Sequence, residues 1–399
     1  MTFLCISCFL KGEDFLKACK AAGNRVFLLT KSSLKDAAWP RESIDEFFYM
    51  DSDKNTPENF ENLAMGMGNL MRQNQIDRIV ALDDFDVEKA AFLREEFRIP
   101  GMGQTTARYF RDKLAMRIKA ADAGIPVPGF SALFTDEAIN HFHATVPAPW
   151  VIKPRGEASA TGITKVHSAE ESWAAIHKLG DVRHHYLIEQ FKPGDVYHSD
   201  ALCQDGKVTF CRTSKYLNTP MEVAHGGGIF RSQTVPFGGE EDKALKALTQ
   251  KVMTAFGMQF SASHTEYIRA EDGNYYFLET SSRVGGAHLA ELVEFSSGIN
   301  LWAEWARLES AISEGKKYTF PKPVNKPAGI LVSLSRHQWP DMTVFNDPEV
   351  VWKINKEYHV GMIVSADTRE RVSELLDKYA QIVARDFHAS APLPDRSTS

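Results

Sequence analysis

One segment, SHTEYIRAEDGNYYFLETSSR over residues 263–283, constrains the local fold more tightly than any other part of this chain. Two runs rich in aromatic and β-branched residues flank Asp272-Gly273, a dipeptide that favours a two-residue type I′ turn. If those two residues form the turn, the antiparallel ladder places Glu266 directly opposite Glu279. The pattern therefore predicts a β-hairpin with two acids side by side.

Like charges directly opposite each other destabilise a sheet, whereas two converging carboxylates suit Mg²⁺, which prefers oxygen ligands and shares them with phosphates. Period-two alternation adds Ser281 and Arg283 to the face of Glu279, and the arginine suits a phosphoryl or carboxylate oxygen. The hairpin predicts a metal site formed by Glu266 and Glu279. An exposed hairpin edge with scattered charges is the alternative interpretation.

Composition indicates a globular protein of two or three domains, with 399 residues, 43% of them hydrophobic and 25% charged. A net charge of -6 without a basic stripe predicts no nucleic-acid partner. The opening MTFLCISCFL reads as a first core strand, and no apolar run is long enough for a membrane span. Five cysteines without a framework pattern suit a reducing cytosol, and Cys5 and Cys8 are expected to be buried rather than functional.

The order of predicted elements divides the chain into α/β and α+β regions. Residues 1–109 alternate strand and helix, which predicts a parallel sheet, and they lack a GxGxxG dinucleotide motif. Residues 110–195 predict a small α+β unit that includes most of a linker helix running from about Thr106 to Ala123. Longer strands follow over 196–320, an α+β extension over 321–390, and a disordered tail over 391–399.

Three charged residues near strand or helix ends suggest phosphate and base contacts. Lys153 ends an apolar strand and precedes PRGEASATGI, a small-residue loop whose backbone N–H groups could approach phosphate oxygens. Lys113 lies in the first turns of a helix, and Glu189 ends another apolar strand, where it could accept from an adenine amino group or reach water. Solvated or snorkelling side chains are the alternative for each residue.

In this order the motifs resemble those of the ATP-grasp superfamily, and within it the carboxylate-amine ligases that include the L-amino acid (dipeptide) ligases. The resemblance covers nearly the whole chain and rests on the following segments: ALDDFDVEKAAFLRE, FRDKLAMRIKAADAGIPVP, WVIKPRGEASATGI, LIEQFKPGDVYHSD, HTEYI and FLETSSRVGGAHLAEL. It implies an ATP-grasp architecture with an N-terminal parallel-sheet domain, a small lid subdomain and a larger antiparallel-sheet region.

The same resemblance implies roles for individual residues around ATP. Lys113 and Lys153 would contact phosphates, with Glu189 near adenine and a mobile flap over 156–162. Glu266 and Glu279 would hold Mg²⁺, for which Mn²⁺ could substitute, and Arg283 would steady the transferred phosphoryl group. The other nucleotide candidates on these motifs are Ser159, Ala160, Gly162, Gln190, Phe191, Asp195 and Lys215.

Two positions depart from the family pattern. Ser281 stands where the family usually has a metal-binding Asn, and its shorter hydroxyl could reach a metal directly or through water. The family's ribose-binding acid aligns with Val196, so that Asp195 takes this role or the ribose is held otherwise. Metal geometry and nucleotide affinity are the properties that these changes affect.

The stretch HGGGIF, which begins at His225, resembles the substrate-side loop of these ligases, with Arg231 directly behind it. Glycines there would permit close backbone approach to a small substrate. The substrate candidates are His225, Gly226, Arg231, Arg283 and Gly286, and a flexible surface hairpin loop is the alternative for the stretch.

Together these features predict a cytoplasmic enzyme that couples a carboxylate to an amine, with amino acids as the expected substrates and ADP and phosphate as products. Related ligases are often dimeric, which implies a possible homodimer. Two rival hypotheses remain: a bicarbonate-using carboxylase of the same superfamily and an ATP-binding protein without turnover. The sequence leaves the two substrates unnamed.

Overall fold

The computed structural model describes residues 1–50, 59–158 and 161–390, and the expected disordered tail over 391–399 lies outside this range. Within it, none of the helices is long and apolar enough to span a membrane. The helices are α1 Glu13–Ala21, α2 Phe60–Met71, α3 Val87–Glu96, α4 Gln104–Arg108, α5 Lys113–Asp122, α6 Asp136–Thr145, α7 Ala169–Leu179, α8 Pro220–Gly226, α9 Glu240–Phe256, α10 Leu289–Ser297, α11 Leu301–Ser313 and α12 Arg369–Ile382.

The predicted N-terminal parallel sheet is confirmed. Its four strands lie in the order β3-β2-β1-β4, with bounds β1 Thr2–Ile6, β2 Arg25–Lys31, β3 Glu46–Met50 and β4 Arg78–Ala81. Phe3 and Cys5 of β1 belong to one hydrophobic core, while Leu4 and Ile6 belong to another. Alternate residues of one strand therefore enter two cores, as expected for a parallel sheet covered on both faces.

A small four-stranded sheet forms the predicted lid. Its order is β5-β8-β6-β7, with bounds β5 Phe130–Ala132, β6 Trp150–Pro154, β7 Thr164–Val166 and β8 Tyr186–Gln190. Helices α6 and α7 supply Ile139, Phe142 and Ile176 to the core beneath this sheet.

The largest sheet has eight strands in the order β13-β12-β9-β10-β11-β14-β16-β15. Their bounds are β9 Gly194–Gln204, β10 Lys207–Tyr216, β11 Phe230–Thr234, β12 Ser261–Ala270, β13 Tyr275–Ser281, β14 Ala328–Leu334, β15 Val350–Lys353 and β16 His359–Ser365. Strands on both sides of residue 320 thus share one sheet, and the domain boundary placed there from the sequence stays a prediction.

The linker helix expected from Thr106 to Ala123 is wrong as a single element. It consists of α4 and α5, separated by residues 109–112. The second helix begins at Lys113 because Asp112 caps it, accepting from the amide of Leu114 at 2.9 Å. The break places Lys113 at a helix start, where its side chain reaches the large sheet.

Candidate active site

The two hairpin acids face each other, as predicted. Glu266 of β12 pairs with Glu279 of β13 in the antiparallel ladder. The two-residue turn is wrong, however, because the loop spans residues 271–273 and Ala270 N donates to Asn274 O at 3.0 Å. A β-bulge between this turn and the acids adds one residue to β13 and thereby restores their pairing.

A buried arginine holds the bulge in place. Arg117 of α5 is fully buried and donates through one Nη atom to the carbonyl of Leu278, the extra residue of the bulge. The sequence reasoning missed Arg117, although it lies four residues after Lys113 and thus on the same face of the helix. That spacing is the signal that could have identified it.

Arg117 also binds Glu189, whose surroundings differ from the expectation. Arg117 Nε lies 2.9 Å from Glu189 Oε2, and Lys153 Nζ contacts Oε1 of the same carboxylate. Burial by itself raises the pKa of Glu189, but the two cations lower it below its usual value. Since both carboxylate oxygens have cationic partners and the residue is buried, Glu189 does not reach water as one of the two expectations had it, and its place near adenine stays a prediction.

Burial also affects Lys153, which ends β6 as predicted. Removal from water lowers the pKa of Lys153 to about 8, even though neighbouring Glu189 favours the charged form. The ammonium group has three donors, so that a bond to one carboxylate leaves capacity for a phosphate oxygen.

Lys113 connects the metal candidate with the flap. Its Nζ atom lies 2.8 Å from Glu279 Oε2 and donates to the carbonyl of Glu157 at 2.6 Å. Burial raises the pKa of Glu279, but Lys113, Lys153 and Arg117 together outweigh this effect and lower the pKa to about 2. Glu279 is therefore charged at neutral pH and one-third exposed at its side chain.

The second acid has different neighbours. Tyr216 Oη donates to Glu266 Oε1 at 2.7 Å, and His264 Nε2 lies 3.5 Å from the same oxygen. His264 in turn contacts buried Asp200 through Nδ1 at 2.8 Å. Burial lowers the pKa of His264, but Asp200 reverses this effect and the pKa is raised to about 10. A positively charged imidazole thus stands beside Glu266.

His198 completes this network. Its Nδ1 atom lies 2.7 Å from Asp200 Oδ2, and its Nε2 atom lies 2.7 Å from the hydroxyl of Ser232. His198, Asp200 and His264 are close enough together to hold a metal ion, but their ring nitrogens and carboxylate oxygens already hydrogen-bond to one another. The trio was missed from the sequence, where the period-two spacings His198–Asp200 and His264–Glu266 were the available signal.

Ser281, the third candidate ligand, also suits the predicted Mg²⁺ site. The Oγ atom of Ser281 is buried and has no hydrogen-bond partner within the described part of the chain. Ser281 lies two residues beyond Glu279 on the same face of β13 and pairs with His264 across the ladder. An orphaned hydroxyl next to two carboxylates is a donor set of the type that a hard cation binds.

Arg283 lies at the boundary with the N-terminal domain. Its Nε atom donates to Asp84 Oδ2 at 2.9 Å, so the residue predicted to steady a phosphoryl group is held by a carboxylate that follows β4. A Cβ atom added at nearby Gly286 would meet no heavy atom within 4 Å. The backbone there borders open space, which is compatible with its predicted substrate role.

Two of the nucleotide candidates form an ion pair. Lys215 Nζ lies 2.7 Å from Asp195 Oδ2 at the start of β9. Gln190 and Phe191 use their amides in backbone bonds to Gly129 and Pro149. Gln190, Phe191 and Asp195 lie where the lid joins the large sheet, and Lys215, near the end of β10, contacts this connection through Asp195.

The flap and the substrate loop complete the set of predicted residues. Gly162 has a φ of 72°, while Ser159 and Ala160 lie outside the described residues. The sequence predicts a loop at His225 and Gly226, but the structure places them at the end of α8. This helix begins with a capping box at Thr219. Arg231 Nη1 binds Asp377 of α12 at 2.7 Å, away from the paired acids of the hairpin.

Comparison with known proteins supports the same architecture, although no family model matches the chain. An L-arginine-specific L-amino acid ligase of Bacillus subtilis is 28% identical over 242 residues, which cover 58% of this chain and 57% of that relative. The crystal structure of an L-amino acid ligase from Bacillus licheniformis has a TM-score of 0.75 at 16% identity and covers 97% of this chain and 98% of its own.

A third match is the biotin carboxylase domain of the Hydrogenobacter thermophilus 2-oxoglutarate carboxylase, solved with MgADP, ADP and bicarbonate. Its TM-score is 0.71 at 16% identity, covering 98% of this chain and 91% of that one. The ATP-grasp fold predicted from the motifs is therefore confirmed. Among curated proteins the chain is similar to an L-amino acid ligase, and the match spans little more than half the length of that relative.

Proposed function

We propose that the chain is an ATP- and Mg²⁺-dependent carboxylate-amine ligase that joins two amino acids through an amide bond. The observation that carries this proposal is the direct pairing of Glu266 with Glu279, next to the ammonium of Lys113. A charged acid pair with a lysine and an orphaned hydroxyl suits the binding of a metal with nucleotide phosphates. The similarity to an L-amino acid ligase supports amino acids as substrates.

Each residue of the site has a role in this proposal. Glu266, Glu279 and Ser281 would hold Mg²⁺, which would supply positive charge to offset that of the phosphates, and Mn²⁺ is expected to substitute for it. Lys113 and Lys153 contact the phosphates. In the structure Lys113 contacts Glu279 and Lys153 contacts Glu189. On ATP binding, each ammonium group therefore either leaves its carboxylate for a phosphate oxygen or contacts both.

The chemistry follows from the poor electrophilicity of a carboxylate at neutral pH. A carboxylate oxygen attacks the γ-phosphorus of ATP, the bond to the β,γ-bridging oxygen breaks, and ADP leaves. The amine then attacks the acyl phosphate, loses a proton, and expels inorganic phosphate to give the amide. In this proposal the guanidinium of Arg283 neutralises charge on the transferred group.

The test is phosphate release from ATP and Mg²⁺ with a mixture of amino acids, read with product masses. Release of ADP and phosphate that depends on amino acids, with a dipeptide mass, is expected. Appearance of AMP and pyrophosphate would contradict the acyl-phosphate route. Glu279→Gln is expected to abolish turnover and weaken Mn²⁺ binding, whereas the exposed hairpin residue Glu271 serves as the matched control, Glu271→Gln.

A carboxylase is the second candidate, because the chain matches a biotin carboxylase domain over nearly its whole length. That function predicts phosphate release that depends on bicarbonate without amino acids. Tight ATP binding without turnover under either condition would instead favour a nucleotide-binding protein. A cytoplasmic homodimer is our working expectation for the ligase.

A further inference from the structure

The short segment after β4 is rigidly held at the carboxyl end of the N-terminal parallel sheet. Asp83 binds Lys11 at 2.6 Å and accepts from the amide of Phe85 at 3.0 Å. Asp86 accepts from the amide of Cys8 at 2.8 Å. The carboxyl end of a parallel sheet is where open α/β domains place their ligands. Residues 83–86, here called the wall, are therefore fixed at this edge of the sheet next to Arg283.

Adjacent residues of this wall hold two arginines. Asp84 binds Arg283 through Nε at 2.9 Å, and the ring of Phe85 lies under the guanidinium of Arg111, with 4.2 Å between the ring centroid and Cζ. Phe85 in turn packs on Phe9, at 5.5 Å between ring centroids. A guanidinium on an aromatic face is held in position without using its N–H donors.

The two arginines differ in their partners. Arg283 has the Asp84 carboxylate, whereas the side chain of Arg111 has neither a hydrogen bond nor an ion pair with the part of the chain that the structure describes. Neighbouring Arg117 and Arg155 bind Glu189 and Asp112. Arg111 is thus a half-buried guanidinium with its five donors free for an external acceptor.

Arg111 is also close to the reacting end of the site. It precedes Lys113 by two residues, and its Nη2 atom would lie 3.9 Å from a Cβ atom placed on Gly156 of the flap. Burial raises the pKa of Asp84, but the charges of Arg283 and Arg111 lower it below its usual value. Arg283 pairs directly with this carboxylate, whereas Arg111 acts on it without a direct ion pair in the described part of the chain.

We propose that Arg111 binds the carboxylate substrate, opposite Arg283, and so selects the acyl donor. This inference rests on the proposed ligase function and adds a residue to it. A planar guanidinium presents paired donors that match the two oxygens of a carboxylate. The nucleotide phosphates have Lys113 and Lys153, which lie on the lid side, whereas Arg111 is supported by the N-terminal domain.

Phenylglyoxal modification of the full chain, read by peptide mass, tests this inference without turnover. Three conditions are compared: protein alone, protein with MgADP, and protein with MgADP and a mixture of amino acids. Arg111 is expected to react in the first two conditions and to be protected in the third. Protection by MgADP alone would assign Arg111 to the nucleotide, and absence of protection in all conditions would exclude a substrate role; either result overturns the inference.

Steady-state kinetics give the second readout. Arg111→Met is expected to raise the KM of the carboxylate substrate about 10- to 100-fold, the effect of losing a charge-assisted hydrogen-bond pair, with the KM of MgATP unchanged. Arg111→Lys keeps the charge, so its KM for the carboxylate substrate should lie between those of the wild type and Arg111→Met. The exposed Arg108 gives the matched control, Arg108→Met. A lower melting temperature with unchanged KM values would reveal a packing role and overturn the proposal.

The two proposals fail separately. If phosphate release depends on amino acids but Arg111 stays reactive in all three conditions, the ligase function stands and only the assignment of Arg111 is lost. If no phosphate is released while amino acids protect Arg111, the residue binds carboxylates in a protein that lacks the proposed reaction.

Discussion

The charge around Glu266 depends on a hydrogen-bonded network of side chains that lies partly outside the hairpin. Asp200 lies at its centre, fully buried, and binds His198 and His264 with separate carboxylate oxygens. The structure thus provides a cation for each acid of the pair, since Lys113 contacts Glu279 and His264 contacts Glu266. The like-charge conflict in the ladder is reduced by the protein itself before any metal binds.

The raised pKa of His264 predicts a pH-dependent stability. Its folded pKa is about 10 against an ordinary value of 6.5, so its contribution is complete below pH 6.5 and is lost as pH rises through 10. Relative to His264→Asn, the unfolding free energy of the wild-type protein should fall by about 2 kcal/mol between about pH 6 and pH 8. Urea titrations at both pH values measure it, and parallel pH profiles would contradict it.

Gly285 packs against the same network and predicts a steric effect. A Cβ atom at this position would lie 2.7 Å from Asp200 Oδ1 and 3.0 Å from His264 Nδ1. Gly285→Ala should therefore destabilise the fold by about 1–3 kcal/mol, as overpacking usually does. Gly286 has no heavy atom within 4 Å of such a Cβ atom, so Gly286→Ala is the matched control. Equal melting temperatures for the two variants would refute the crowding argument.

At the level of elements, α5 connects the lid to the large sheet. Its first residue, Lys113, reaches β13, and Arg117 one turn later binds both Glu189 of β8 and the carbonyl of Leu278. The helix therefore fixes the acid pair relative to the strands that carry Lys153. Since Arg117 is fully buried, its charge has no solvent to replace these partners.

Removal of this arginine should be costly. Arg117→Met leaves the carboxylate of Glu189 with Lys153 alone, and breaking a buried pair from one side typically destabilises by about 3–5 kcal/mol. Chemical denaturation measures the change. The double variant Arg117→Met/Glu189→Gln should lose less than the sum of the two single variants, and strict additivity would show that the pair is not coupled.

Sequence reasoning reached some of these elements and not others, for physical reasons. The Glu266–Glu279 pairing is local, so the period of the strands predicted it, although the turn is one residue longer than predicted and a bulge that was not predicted compensates for it. The partners of Glu189 come from elements up to 72 residues away, and no local pattern encodes such contacts. The helix break before Lys113 was missed because Asp112 caps α5 only when its own backbone is extended, and the sequence pattern alone does not show that it is.

At the scale of the molecule, the N-terminal domain shares its core with later parts of the chain. Phe3 and Cys5 of β1 lie in one cluster with Leu301 and Trp305 of α11, and Phe15 stacks edge-on against Trp305 at 5.1 Å. Arg78 of β4 forms a buried ion pair with Glu309 of the same helix. One face of the N-terminal sheet is therefore completed by residues about 300 positions further on.

This shared core predicts that the domain does not fold alone. A fragment of residues 1–109 lacks α11, so that Phe3, Cys5 and Phe15 would be exposed to water. Circular dichroism and amide dispersion in NMR spectra should show a largely unfolded fragment, whereas the full chain should unfold in one transition. A folded fragment with a cooperative melt would contradict the dependence on α11.

The β-bulge separates the tip of the hairpin from its acids. Strand β12 is paired with β9 from Ser261 to Ala270 without a shift, and Phe277 N donates to Pro126 O at 2.8 Å, so that both strands are anchored independently of the loop between them. Gly273 lies at the exposed tip, and a Cβ atom added to it would meet no heavy atom within 4 Å. Because the φ of 80° at Gly273 strains any other residue, the neighbouring exposed Glu271 is the position for a fluorescent or paramagnetic label that would report cation loading without touching the paired carboxylates.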